Sequence, residues 1–267
     1  MADIHNTAII DNSAEIDEGV TIGPYCIIGK GVKIHRGTIL HNNVVIEGNT
    51  EIGQDNEIFP FTTIGLPPQD LKYHGEETGV RIGNKNIIRE YITIHRGSVG
   101  GDGYTTIGSN NFLMAYVHIA HDCKVGNHVI MANAATLGGH VEVEDHVVIG
   151  GMVAVHQFSR IGAYAMVGGF SGVAQDIPPY MTASGPRATL YGLNTVGLKR
   201  NGFTDETIAE LKQAYRILFR EKLNLKEALK KLQEELPYTE EIAHLIDFIN
   251  KNRRGICRPA KGKNSDK

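Results

Sequence analysis

An aliphatic residue returns at every sixth position from near the start of the chain. Ile4, Ile10, Ile16, Ile22, Ile28, Ile34, Leu40, Ile46, Ile52, Ile58 and Ile64 hold the first phase. The phase returns at Ile82, Ile88 and Ile94. It then runs from Ile107 through Leu113, Ile119, Val125, Met131, Leu137, Val143, Ile149, Val155, Ile161 and Val167 to Val173. A small or β-branched residue sits four places later, as at Ala14, Val20, Cys26, Val32, Thr38, Val44, Ala135, Val147 and Ala165. A helix needs a period of about 3.6 and a simple strand a period of 2, so neither explains a six. A parallel β-helix does. Each hexad is then one short strand and a turn, and three hexads close a triangular coil of about 18 residues. Coils stack at roughly the 4.8 Å strand spacing, with the aliphatic and the small residue pointing inward.

Two segments break the phase. Residues 66–81, LPPQDLKYHGEETGVR, and 96–106, RGSVGGDGYTT, are rich in Gly, Pro and charge and are expected to be loops ejected from the prism. Such loops often carry function, although tolerated surface insertions are the plain alternative. The hexads stop after Pro178 and Pro179. Thr204, Asn224 and Thr239 each precede an amphipathic stretch and are expected to cap helices, with a shorter helix near Asn194 to Arg200. The chain therefore divides into a prism over 1–190 and an α-helical domain over 191–267. The last segment, PAKGKNSDK, is expected to be a disordered tail from about 259.

Composition narrows the function. A net charge of −3 argues against a general nucleic-acid binder. No apolar run reaches the roughly 20 residues of a membrane span, and MADIHNTAII has no signal-peptide pattern. Three widely spaced cysteines, Cys26, Cys123 and Cys257, suit a reducing cytoplasm better than a disulfide scaffold. From Tyr191 onward Lys and Arg outnumber Asp and Glu by five, so the rest of the chain is acidic. A basic helical end suggests an acidic partner, or simply solvated helix faces.

The segment HIAHDCKVG, from His118 to Gly126, raises the chemical question. With about 18 residues per coil, His121 falls in one column with Gly139 and Gln157, Asp122 lies below His140, and His156 lies in the column of Gly138. Cys123 occupies the inward slot equivalent to Cys26, and we read it as a core residue and not a nucleophile. Zinc needs three converging imidazoles and an open position. His118 and His121 lie on different hexads, so no single column supplies them, though an interface between copies would. A histidine beside a carboxylate can act as a general base near neutral pH. An amide one coil above, at Gly139, can stabilise a thioester oxyanion.

Such prisms resemble the hexapeptide acyltransferase superfamily, whose β-helix is left-handed. The motifs are more specific than that. PQDLKY in the first loop, TIHRGS before the second, HIAHDC, IGGMVAVHQF, GGFSGVAQDIPP and GLKRNGF together resemble the UDP-N-acetylglucosamine O-acyltransferase family, which begins lipid A synthesis in the cytoplasm. The resemblance covers nearly the whole chain. It implies His121 as base, Asp122 as its orienting partner and Gly139 as the oxyanion amide. It implies sugar-nucleotide contacts from Gln69, Asp70, Lys72, His95, His118, His140, His156 and Gln157, with Asn194 and Arg200 at the nucleotide end. Gly169 matches the position limiting acyl-chain length, and a glycine there favours a longer chain. Two departures bear on selectivity: Val196 replaces an acid that some members carry, and Arg187 stands where a His can occur. The resemblance also implies a homotrimer with sites between prisms, acyl carrier protein as donor, UDP-N-acetylglucosamine as acceptor, and no metal or other cofactor.

The sequence leaves other classes open. The same base and amide would serve a 3-amino sugar nucleotide. The related N-acyltransferase acting later in the pathway begins with an extra domain, whereas hexads here start at Ile4. Some hexapeptide prisms are metal-dependent carbonic anhydrases. A purely structural or binding prism is the last alternative, and the ejected loops and clustered histidines argue against it.

Overall fold

The structure, a computed structural model, describes residues 1–260. The hexads are two-residue strands. Ile9–Ile10, Ile27–Ile28 and Val45–Ile46 pair in parallel, each with the strand one 18-residue coil further on. Strands join three sheets in rotation, giving faces of eleven, nine and eight strands that close a left-handed parallel β-helix. Every phase aliphatic from Ile22 to Val173 is buried. Each such side chain sits between identical slots above and below, and burial of one is worth about 1.5–3 kcal/mol. The first coil has a neighbour on one side only, and Ile4 is 44 % exposed.

The second inward slot differs in part from expectation. Three coils place asparagine there instead of a small residue. The Asn56 amide donates to the Gly53 and Gly83 carbonyls, Asn86 to Asn56 Oδ1 and the Gly108 carbonyl, and Asn111 to the Gly126 carbonyl, all at 2.9–3.0 Å. Burial is tolerated because corner carbonyls that the strands leave free become acceptors. Corners also need one residue in the left-handed region per turn. Asp122, His140 and Phe158 take φ of 59°, 59° and 64°, and Asp and His tolerate that region better than most residues. The three share one corner column.

The ejected loops are shorter than their sequence limits. Leu66 closes the strand Thr63–Leu66, and residues 79–81 belong to the strand Gly79–Ile82. Residues 104–106 belong to Tyr104–Ile107, which pairs with Gly79–Ile82 over four residues. The loops proper are thus 67–78 and 96–103. Their ends were drawn into the third face because a partner strand was available there. Ile64 pairs with Ile94 and Ile94 with Ile119, spacings of 30 and 25 residues, so the register survives both insertions.

An antiparallel hairpin, Met181–Ser184 with Thr189–Leu193, ends the first face and straddles the expected boundary at residue 190. Four helices follow: α1 Thr195–Arg200, α2 Asp205–Phe219, α3 Leu225–Glu235 and α4 Glu240–Asn250. Thr204, Asn224 and Thr239 cap α2, α3 and α4 as expected, Asn224 in a reciprocal box with Glu227, and Asn194 caps α1. The helical end is pinned to the prism. Arg160 packs over the Phe248 ring and donates to the Phe248 carbonyl, and His244 bridges the Tyr180 hydroxyl and Glu144, both at 2.9 Å. The chain then returns: Ile256 pairs with Asp176 and Pro259 with Leu190. Pro259, placed at the head of the expected tail, is therefore part of the fold, and 261–267 lie outside the described residues.

Because Ile119 is fully buried between Ile94 and Leu137, Ile119→Ala should cost about 2–5 kcal/mol, read as a lower urea midpoint by circular dichroism.

Candidate active site

The strand His118–Ile119 ends at a corner, and the chain turns through His121 and Asp122 before Cys123 goes inward. His121 Nδ1 donates to Asp122 Oδ2 at 2.8 Å. The Asp122 side chain is almost wholly buried. Its carboxylate also accepts from the Ser98 N–H, at 3.0 and 3.1 Å to its two oxygens, and from the Ser98 hydroxyl at 2.7 Å. The Asp122 N–H donates to Thr105 Oγ1. Burial pushes the carboxyl up, but the hydrogen bonds from His121 and Ser98 outweigh it and hold Asp122 below the ordinary carboxylate value. It is an ionised acceptor at neutral pH, which draws His121 Nδ1–H to the carboxylate and turns Nε2 away from it.

Nε2 lies against Gly139. A Cβ at residue 139 would meet Nε2 and Cε1 of His121 at 2.7 Å. Only glycine lets the ring sit there. Among the described residues the Gly139 N–H donates to no acceptor, which leaves it free for a ligand oxygen. His140, one coil above Asp122, meets the His121 ring edge-on at 5.2 Å and stacks on Phe158 at 4.5 Å.

A cleft of about 540 Å³ opens beside this corner. Gln69, Asp70 and Lys72 of the first loop line it together with His121, His140 and Gln157, so six of the candidate residues meet in one place. His95 and His118 stand side by side on the second face, edge to face at 5.3 Å, with His118 Nδ1 bonded to Thr93 Oγ1 at 2.6 Å. The His95 Nδ1 is buried without a partner among the described residues. His156 is exposed and turns its Nδ1 onto the Gln157 carbonyl. Gly169 lies exposed on a higher coil. Asn194 and Arg200 belong to α1, where the Asn194 side chain caps the helix and donates to the Tyr164 carbonyl. His156, Gly169, Asn194 and Arg200 are not in the wall of this cleft.

Cys123 is fully buried, and its thiol is pushed up to about 12 by burial, so it stays protonated and inert. His121, Asp122 and His140 offer ligand atoms within 4.8 Å of one another, the one such group among the described residues. Asp122 already accepts from His121 Nδ1 and from Ser98, while His140 Nε2 stands 3.8 Å from Asp122 Oδ2 without a hydrogen bond to it.

Ser98, Thr105 and Gly101 were not evident from the sequence. A Cβ at Gly101 would run into Asp122 Oδ1, so glycine there lets the loop close over the carboxylate. The signal was present in RGSVGG, a serine between glycines, but nothing along the chain says that it folds back onto Asp122.

A left-handed hexad prism with a His–Asp corner under a loop-walled cleft has the organisation of a hexapeptide-repeat transferase. Residues 104–139 match the family model described as bacterial transferase hexapeptide (six repeats). Residues 176–257 match domain 2 of Udp N-acetylglucosamine O-acyltransferase. A relative from Thermodesulfovibrio yellowstonii, acyl-[acyl-carrier-protein]–UDP-N-acetylglucosamine O-acyltransferase, is 70 % identical over 207 residues, 78 % of this chain and 80 % of its own. The structure of LpxA from Acinetobacter baumannii is 48 % identical and superposes with a TM-score of 0.94 over 96 % of this chain and 99 % of its own. The Arabidopsis UDP-N-acetylglucosamine acyltransferase structure is 38 % identical, with a TM-score of 0.85 over 95 % of this chain and 99 % of its own. The chain belongs to the UDP-N-acetylglucosamine O-acyltransferase family.

Gly139→Ala should displace the His121 ring and lower kcat by about 10²-fold, with the unfolding midpoint little changed; steady-state kinetics check this. Burial holds His95, His118 and His140 below the ordinary value of 6.5, so they stay neutral where an unfolded chain takes up protons. The unfolded state then binds more protons, and stability falls as pH drops through 6.5. The exposed His35, raised by its bonds to Asp17 and Glu51, acts in the opposite sense. The loss in urea midpoint from about pH 7.5 to about pH 5.5 should therefore be smaller in His118→Gln than in the wild type.

Proposed function

We propose that the protein transfers an acyl chain from acyl carrier protein to the 3-hydroxyl of UDP-N-acetylglucosamine, the first step of lipid A synthesis. The observation that carries this reading is the His121–Asp122 dyad, whose free Nε2 faces the Gly139 backbone inside the cleft. His121 Nε2 takes the proton of the 3-hydroxyl as that oxygen attacks the thioester carbon. The developing oxyanion accepts from the Gly139 N–H. Collapse breaks the carbon–sulfur bond, and the imidazolium returns its proton to the leaving thiolate. No covalent enzyme intermediate and no cofactor is involved.

Gln69, Asp70 and Lys72 hold the sugar nucleotide from the loop side, and His140 and Gln157 from the prism side. His95, with its unpartnered nitrogen, His118 and His156 complete the acceptor subsite. The exposed Gly169 leaves room for a long acyl chain. The active assembly is a homotrimer. Ile39, Ile87, Ile130 and Met166 stand exposed on the first face, beside a stacked Phe61–Tyr91–Tyr116 corner, and this apolar strip supports burial against other copies. Asn194 and Arg200 then serve the nucleotide end of a neighbouring cleft. The basic surplus of the helical end suits an acidic carrier protein. No helix among the described residues is long and apolar enough to cross a membrane. The three free cysteines fit a reaction in the cytoplasm.

The test is incubation with UDP-N-acetylglucosamine and a panel of 3-hydroxyacyl carrier proteins, with mass spectrometry of the nucleotide. Wild type should give the O-acyl product, and His121→Ala should lose about 10²–10⁴-fold in rate while staying folded. Undiminished turnover in His121→Ala rules out the base. No product with any chain moves the reading to a 3-amino sugar nucleotide, and dependence on added zinc moves it to the His121–Asp122–His140 group as a metal site.

A further inference from the structure

A carboxylate held by one histidine is free to swivel. The last torsion of an aspartate is broad, so a single bond from His121 does not fix the plane of the Asp122 carboxylate. The second loop supplies what is missing. The Ser98 N–H reaches both Asp122 oxygens, at 3.0 and 3.1 Å, and the Ser98 hydroxyl reaches Oδ2 at 2.7 Å. Oδ2 is also the oxygen that receives His121 Nδ1 at 2.8 Å. Ser98 is buried and lines the same cleft as His121, and the loop that brings it there passes so close to Asp122 that a Cβ at Gly101 would press on the carboxylate.

We propose that Ser98 is the positioning residue of the dyad: it sets the plane of the Asp122 carboxylate and thereby aims His121 Nε2 at the space beside Gly139. This rests on the acyl-transfer reading and adds to it. Ser98 acts only through Asp122. The loop that carries it is thus part of the catalytic apparatus and not a tolerated insertion. Together with the bond from His121, the hydrogen bonds from the backbone and side chain of Ser98 keep the buried carboxylate below its ordinary value.

A double-mutant cycle tests it, using full-length protein, UDP-N-acetylglucosamine and the best carrier-linked chain. Ser98→Ala should lower kcat about tenfold, the usual scale for a hydrogen bond to a charged group, with KM for the sugar nucleotide within about twofold. Ser98→Thr, which keeps the hydroxyl, should recover most of that loss. In an Asp122→Asn background Ser98→Ala should change kcat by less than about twofold, because the group it acts through has lost its charge. Gly101→Ala, which presses on the same carboxylate, should show the same dependence on Asp122 and serves if Ser98→Ala folds poorly. An unchanged kcat in folded Ser98→Ala, or a full tenfold loss that persists in Asp122→Asn, overturns the proposal. If wild type transfers no acyl chain, the acyl-transfer reading has failed, and Ser98 is then judged without turnover. The His121 Nδ1–H proton resonance, assigned by its loss in His121→Gln, should shift in Ser98→Ala, and an unshifted resonance overturns the proposal.

Discussion

The structure depends on the vertical register of its coils. Each inward aliphatic pairs with its equivalent one coil away, Ile119 with Leu137 and Leu137 with Val155, so a single column of contacts runs the length of the prism. A one-residue slip would turn every buried side chain outward at once. That is why insertions leave the prism only at corners. There they interrupt no column, and the coils close again around Ile94 and Ile119 in the original phase.

The same constraint makes the site rigid. His121, Asp122, Gly139 and His140 sit on adjacent coils, and their separations follow from coil stacking and not from loop conformation. Left-handed backbone at Asp122 and His140 turns both residues at the corner, while Cys123 returns to the core. The electrostatics follow from where the corner lies. Half-buried imidazoles on the second face stay neutral because burial opposes their charge, and one ionised carboxylate persists because three donors from His121 and Ser98 hold it. The cleft therefore sets neutral imidazoles and a free amide near one buried carboxylate, surroundings suited to proton transfer near neutral pH.

Outside the prism, the helical end is joined by a few specific contacts. Arg160 lies between Glu142, Glu144 and the Phe248 ring, and His244 links Tyr180 to Glu144. Ile256 and Pro259 then return to pair with Asp176 and Leu190, which seals the end of the prism. The helices are thus built onto the last coils and are not tethered by a linker.

Much of this was legible in the chain. A six-residue period is a local property, since each hexad carries its own inward aliphatic and corner residue. Strands, coil length, core and helix caps were therefore determined before folding is considered, and stacking arithmetic alone placed Gly139 above His121. Other features belonged to the tertiary structure. The first loop reaches the prism corner, so that Gln69, Asp70 and Lys72 meet His121 and Gln157, because a backbone path across the surface brings them there. Ser98 clamps Asp122 although 24 residues separate them, and no periodicity encodes an irregular loop. The buried Asn56, Asn86 and Asn111 ladder is polar where the pattern asks for small residues, because free corner carbonyls exist only once the coils are stacked. The repeating positions answer to contacts each hexad makes with its copies, and so the sequence alone determined them; the loops and the returning C-terminal segment answer to surfaces that exist only in the folded chain.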